Sequence, residues 1–232
     1  MPGYVVDEGS VEPVREHGDT ASVRVTIDGA AGSKLLEQRV IRFEPGRSRP
    51  RTPGPDRQEV LFVASGEGTL ELDGEEHPLE RGTGAHVGPG RRYEIENPGP
   101  DALLVVSVTA PAATAVSTGA VVRFEDRPEE RADENRTFRV LVDGDVTQFV
   151  GLVEPSRAPD HSHSYDEVGY ILEGEGTAHV NGERIPLRAG SCFHLPPGTV
   201  HCIENSGSST MRILGVFHPT GSPASRAYET NI

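Results

Sequence analysis

Apolar and polar residues along this chain alternate in short bursts and not in helical periods. Runs at Glu59–Ala64, Thr69–Leu72, Ala102–Val108, Val168–Leu172, Thr177–Val180 and Met211–Phe217 are rich in β-branched or apolar side chains. Such residues suit a pleated, half-buried surface. Turn-forming pairs punctuate them: Asp73-Gly74, Asn181-Gly182, Pro89-Gly90, Pro197-Gly198 and Asn97-Pro98. Glu125–Glu134 is charged enough for a short helix, although Pro128 argues against one. Many short strands at regular turn spacing predict an all-β sandwich or barrel.

The strands come in two sets. Glu59-Val60 followed by Gly66-Glu67-Gly68-Thr69 returns as Glu167-Val168 followed by Gly174-Glu175-Gly176-Thr177. The same offset carries Gly82 to Gly190, Pro89-Gly90 to Pro197-Gly198 and Ile95-Glu96-Asn97 to Ile203-Glu204-Asn205. A match that persists without a gap signals duplication. The expected organisation is two domains, residues 1–112 and 113–232, joined through a small-residue linker near Ala110–Ala120.

Composition narrows the function classes. Net charge is -14, from 36 acidic and 22 basic residues. That argues against nucleic acid or an anionic membrane as partner, since both reward basic patches. No stretch is long and apolar enough to span a bilayer. The acidic start, MPGYVVDEGSVEP, carries no apolar signal region, so a cytoplasmic protein is expected. Lys34 is the only lysine beside many arginines, glycines and prolines, a bias suited to a GC-rich bacterial genome. Trp is absent and aromatics are 5%, so Val, Leu, Ile and Ala are expected to fill the cores. Cys192 and Cys202 flank a predicted turn and read as two reduced, half-buried thiols.

Candidate chemistry sits in the second half. His161 and His163 are two apart and share a strand face. Glu167 follows, and His201 arrives after the Pro196-Pro197-Gly198 turn. Three imidazoles and one carboxylate make a first shell for a divalent transition metal. Four protein groups on a six-coordinate metal leave two positions open, a catalytic arrangement and not a closed structural one.

Here the chain resembles the cupin superfamily, and within it the two-domain bicupins. His161, His163, Glu167 and Gly174 match the first motif; Gly190, Pro196, Gly198, His201 and Asn205 match the second. One departure is Pro155, where the family has a glycine six positions before the first histidine. The resemblance implies two double-stranded β-helix (jelly-roll) barrels in tandem. It also implies one metal per chain, Fe, Mn, Ni or Zn, on His161, His163, Glu167 and His201. No organic cofactor is expected.

Subtracting the repeat offset places Pro53, Pro55, Glu59 and Tyr93 at the ligand positions of the first barrel, which is expected to bind no metal. Glu59 and Tyr93 are candidates for a hydrogen bond in its place. The basic loop Arg47–Arg57 reads as a solvated rim in preference to an anion site. Tyr165 and His194 are weak catalytic candidates, and His194 has a counterpart, His86, in the ligand-poor half. The tail Pro219–Ile232 lacks strand periodicity and is expected to wrap the surface, close a barrel mouth or fray.

The leading functional expectation is a dioxygenase acting on a small, oxygen-rich substrate. The alternatives are a non-redox isomerase, cyclase, decarboxylase or lyase, and a non-catalytic small-molecule binder. The expected assembly is a monomer or homodimer.

Overall fold

A computed structural model describes residues 3–112 and 121–224, so the predicted linker and the end of the tail lie largely outside the described residues. The six apolar runs all form strands, at Arg57–Ser65, Glu67–Leu72, Leu103–Pro111, Asp166–Glu173, Glu175–Val180 and Met211–His218, with only Ala102 falling outside them. Asp73 and Asn181 take positive φ ahead of Gly74 and Gly182, as tight hairpin turns require. The stretch read as a possible helix is instead a 3₁₀ turn, Phe124–Asp126, and a strand, Glu130–Asp133. Pro128 lies between the two and cannot donate the backbone bond a continuous helix needs.

Each half is a jelly roll of one large and one small sheet. The six-stranded sheet runs, in spatial order, Val121–Arg123, Thr83–Val87, Arg57–Ser65, Leu103–Pro111, Glu37–Phe43 and Ala21–Ile27. The seven-stranded sheet runs Tyr4–Asp7, Ser191–Leu195, Asp166–Glu173, Met211–His218, Thr147–Val153, Arg136–Val142 and Glu130–Asp133. A four-stranded sheet faces each of them. One contains Tyr93–Asn97, the other His201–Asn205.

The first strand of each half crosses to the other barrel. Tyr4–Asp7 pairs with Ser191–Leu195, and Val121–Arg123 pairs with Thr83–Val87. Each arm then makes a 3₁₀ turn bonded at an equivalent carbonyl: Glu8 N to Gly190 O and Phe124 N to Gly82 O, both 3.0 Å. The first arm is further pinned by Glu8, which accepts two bonds from Arg42, at 2.9 and 3.0 Å, and one from Tyr170.

The large sheets pack back to back. One apolar cluster joins Ile27, Val40, Val60, Phe62, Val106 and Val108 to Val150, Val168, Tyr170, Leu214 and Val216. Gln38 donates to Gly169 O and Gln148 to Leu61 O, each at 3.3 Å. Leu61 and Gly169 are one position in the repeat, so the contact is close to self-complementary, like a two-fold dimer interface. Because both faces of Asp166–Glu173 are covered, its residues read as a continuous run and not as an alternation.

All seven Phe are buried, although aromatics are scarce in the sequence. In the second barrel glycines make room for them. A Cβ on Gly169 would sit 2.1 Å from the Phe193 ring, and one on Gly215 would sit 2.3 Å from that of Phe149. Cys192 and Cys202 are buried free thiols in different sheets.

Candidate metal centre

His161, His163 and His201 come together inside the second barrel, with their ligand nitrogens within 4.8 Å of one another. His161 and His201 exchange both backbone bonds, at 2.9 and 2.8 Å, which joins the approach segment to the strand that follows the Pro-Pro-Gly turn. The Gly198 amide closes the turn by donating to His163 O at 2.7 Å. Glu167, on the neighbouring large sheet, brings Oε2 to 3.7 Å from His163 Nε2 and 3.8 Å from His201 Nε2.

Supporting bonds orient two of the imidazoles. His161 Nδ1 lies 3.0 Å from Pro159 O and His201 Nδ1 2.9 Å from Thr199 O. A carbonyl only accepts, so Nδ1 carries the proton and Nε2 presents its lone pair. Burial and the neighbouring His161 hold His201 neutral, its pKa pushed down to about 4. Burial, with added repulsion from Asp166, pushes the Glu167 carboxyl up to about 8. Glu167 Oε2 is buried and has no hydrogen-bond partner. Burial thus keeps the carboxyl protonated unless a cation is present, and its ionised form, facing the His201 lone pair, is costly without one. These residues therefore fit a divalent transition metal.

The centre lies in a cavity of about 110 Å³. Phe138, Phe149, Val153, Phe193, Ile213 and Phe217 form its apolar walls, and Arg136 and Thr137 add polar groups. The tail reaches its mouth, where Pro223 joins the lining. Thr147 Oγ1 bonds Thr220 Oγ1 at 2.8 Å and Gly221 O at 3.1 Å.

Tyr165 and His194 are placed differently from the ligands. Tyr165 stacks on His163 at 4.6 Å between ring centroids, and its hydroxyl donates to Ser222 O at 3.0 Å. It backs a ligand and latches the tail. His194 is on the sheet face that packs against the first barrel, where Nε2 meets Asp166 Oδ1 at 2.7 Å. His86 and Gln58 make the equivalent contact at 2.8 Å. Neither Tyr165 nor His194 lines the cavity.

Comparison with known proteins agrees with this architecture. The Cupin domain family matches twice, over residues 39–109 and 149–217. The chain belongs to the cupin family. An oxalate-binding protein of Thermotoga maritima is 40% identical over 58 residues, 25% of this chain and 48% of its own length. Quercetin 2,3-dioxygenase of Bacillus subtilis is 38% identical over 64 residues, 27% of this chain and 19% of its own. The chain thus spans about half the length, or less, of these curated relatives. Among solved structures, a putative glyoxylate-induced protein from Pseudomonas aeruginosa superposes with a TM-score of 0.82 at 19% identity. That match covers 99% of this chain and 92% of the other. A deletion mutant of Bacillus subtilis oxalate decarboxylase gives 0.72 at 13%, over 92% and 76%. At these identities the structural likeness speaks for the fold.

The two cupin barrels treat the same position differently. The backbone pair equivalent to His161 and His201 is Arg51 and Tyr93, bonded at 2.8 and 2.9 Å. The residue opposite His161 in the repeat is therefore Arg51, and the match to Pro53 and Pro55 expected from a constant offset is corrected. The cause is a longer loop: seven residues lie between Arg51 and Glu59, and five between His161 and Glu167.

In the first barrel Glu59 accepts from Ser107 Oγ and is hydrogen-bonded to Tyr93, whose hydroxyl pKa is raised by burial and by the Glu59 charge. Arg51 pairs with buried Asp19 at 2.7 Å. The other arginines of this loop are also engaged. Arg47 meets Glu71 and Glu96, Arg49 meets Glu16, and Arg57 donates to Leu35 O and Thr109 O.

Proposed function

We propose that this cupin is a metal-dependent dioxygenase acting on a small, oxygen-rich organic molecule. The observation that carries the reading is the unpartnered Glu167 Oε2, buried against His163 and His201 in a cavity whose walls are apolar. His161, His163, Glu167 and His201 would hold the metal. Iron in that site would supply redox chemistry toward dioxygen and two positions beyond the protein ligands.

The chain's own groups divide the remaining work. The carbonyls of Pro159 and Thr199 fix the imidazole tautomers. Phe138, Phe149 and Phe217 exclude water, which strengthens polar interactions inside the cavity. The space beside the cluster is small: about 110 Å³, less than the ~150 Å³ of a cavity that takes up benzene. With the tail in place, the site suits a molecule of few heavy atoms.

A non-redox isomerase or lyase needs a general base beside the reacting carbon. Among the described lining residues, the groups able to take a proton are the four candidate ligands themselves. Tyr165 and His194 are committed elsewhere, which favours the oxygen-dependent reading. Oxygen consumption by the iron-loaded protein, measured with an electrode across a panel of small enediols, 2-oxo acids and 2-hydroxy acids, is the test. Substrate-dependent uptake is expected. Turnover of the same substrate under strict anaerobiosis would rule the dioxygenase out in favour of a non-redox reaction.

A further inference from the structure

The cavity holds one arginine, and its place in the duplication is informative. Arg136 is the only Arg or Lys among the described lining residues. Its side chain is 14% exposed. Nη1 bonds Asp133 Oδ2 at 3.2 Å and Nη2 bonds Ile203 O at 3.1 Å. These bonds draw on two of the five N–H donors of a guanidinium and hold its plane in place.

Arg136 stands opposite Val153 in the strand register. The equivalent pair in the first barrel is Ala21 opposite Phe43. The barrel without the histidine cluster thus has no arginine here and is filled by a phenyl ring. The barrel with the cluster has the arginine here, and the smaller Val153 opposite it. Burying a guanidinium beside Phe138, Val153 and Ile213 is unfavourable unless its charge is met. A second anion inside such walls would be bound more strongly than in water.

We propose that Arg136 anchors the carboxylate of a short-chain organic acid whose second oxygen function reaches the His161–His163–Glu167–His201 cluster. This rests on the metal-dependent reading and adds the substrate class to it. A planar guanidinium matches a carboxylate with two parallel bonds, so the residue selects acids over amides of the same shape. The cavity volume keeps the acid short.

The experiment is calorimetric titration of the full chain loaded with manganese, using pyruvate and glycolate against their uncharged amides, pyruvamide and glycolamide. Wild type is expected to bind at least one acid, and its amide at least about tenfold more weakly. Arg136→Gln should lose about tenfold or more in acid affinity, with amide binding and manganese stoichiometry unchanged. Asp133→Asn, which leaves the guanidinium but removes its compensating charge, should tighten acid binding. A misfolded variant cannot produce that gain.

Equal acid affinity in wild type and Arg136→Gln would overturn the assignment, as would a wild type that binds neither acid or prefers the amides. Failure of wild type to take up manganese would instead sink the metal reading. Arg136-dependent acid binding in that case would still support the anchor.

Discussion

At the scale of single residues, the centre is a set of acceptors held face to face. Glu167 is buried, unpartnered through Oε2 and aimed at imidazole nitrogens. Without metal, burial makes the Glu167 carboxyl take up a proton on folding at neutral pH, a cost that the neutral amide of Glu167→Gln does not carry. The metal-free protein should therefore gain about 1 kcal/mol of stability, read from urea unfolding in chelator. Metal affinity should fall by more than about a hundredfold, beyond the usual cost of losing only a supporting bond. A variant both less stable and fully metal-binding would contradict this account. The four candidate ligands could be picked out in the sequence because their spacing survives any uncertainty about strand boundaries. Arg51 and Arg136 could not. Arg51 reaches its place through a loop-length change that a constant offset conceals, and Arg136 lies on a strand with no motif around it.

At the scale of elements, two segments do work that their sequences do not announce. The arms Tyr4–Asp7 and Val121–Arg123 each complete the other barrel's sheet. They are too short to show a period, and their partners are remote in the chain. The tail segment from Pro219 to Pro223 is held by Tyr165 and Thr147 across the cavity mouth. Gly221 packs so closely on the Tyr165 ring that a Cβ would sit 2.4 Å from Cε1. Gly221→Ala should push this segment outward. A chelator should then strip metal from the loaded protein several-fold faster, followed by absorbance of the chelate. An unchanged stripping rate would show that the tail does not control access. Around Pro128 the outcome has a related cause: charge alone allowed a short helix, Pro128 argued against it, and the edge of the seven-stranded sheet was available to pair Glu130–Asp133.

At the scale of the whole molecule, the barrels share one apolar cluster, two matched glutamine bonds and two exchanged arms. Neither barrel can lose its structure without exposing the other's buried face. Calorimetry and circular dichroism should therefore report one coincident unfolding transition. Metal at a hundred times its dissociation constant should raise the stability of that whole transition by about 2.7 kcal/mol. Two transitions, of which metal shifts one, would mean that the barrels unfold independently. No helix among the described residues is long and apolar enough to cross a membrane. The sequence by itself determined the repeat, the strands and the candidate cluster, because each depends on local spacing: two-residue alternation, turn pairs and motif intervals. Only the tertiary structure decided what fills the space around the histidine positions. Ile41, Phe43 and Tyr93 pack inside the first barrel, where the second has Gly151, Val153 and His201. Volume is a sum over residues distant in the chain, so a single strand's pattern does not reveal whether its barrel closes on a core or on a cavity.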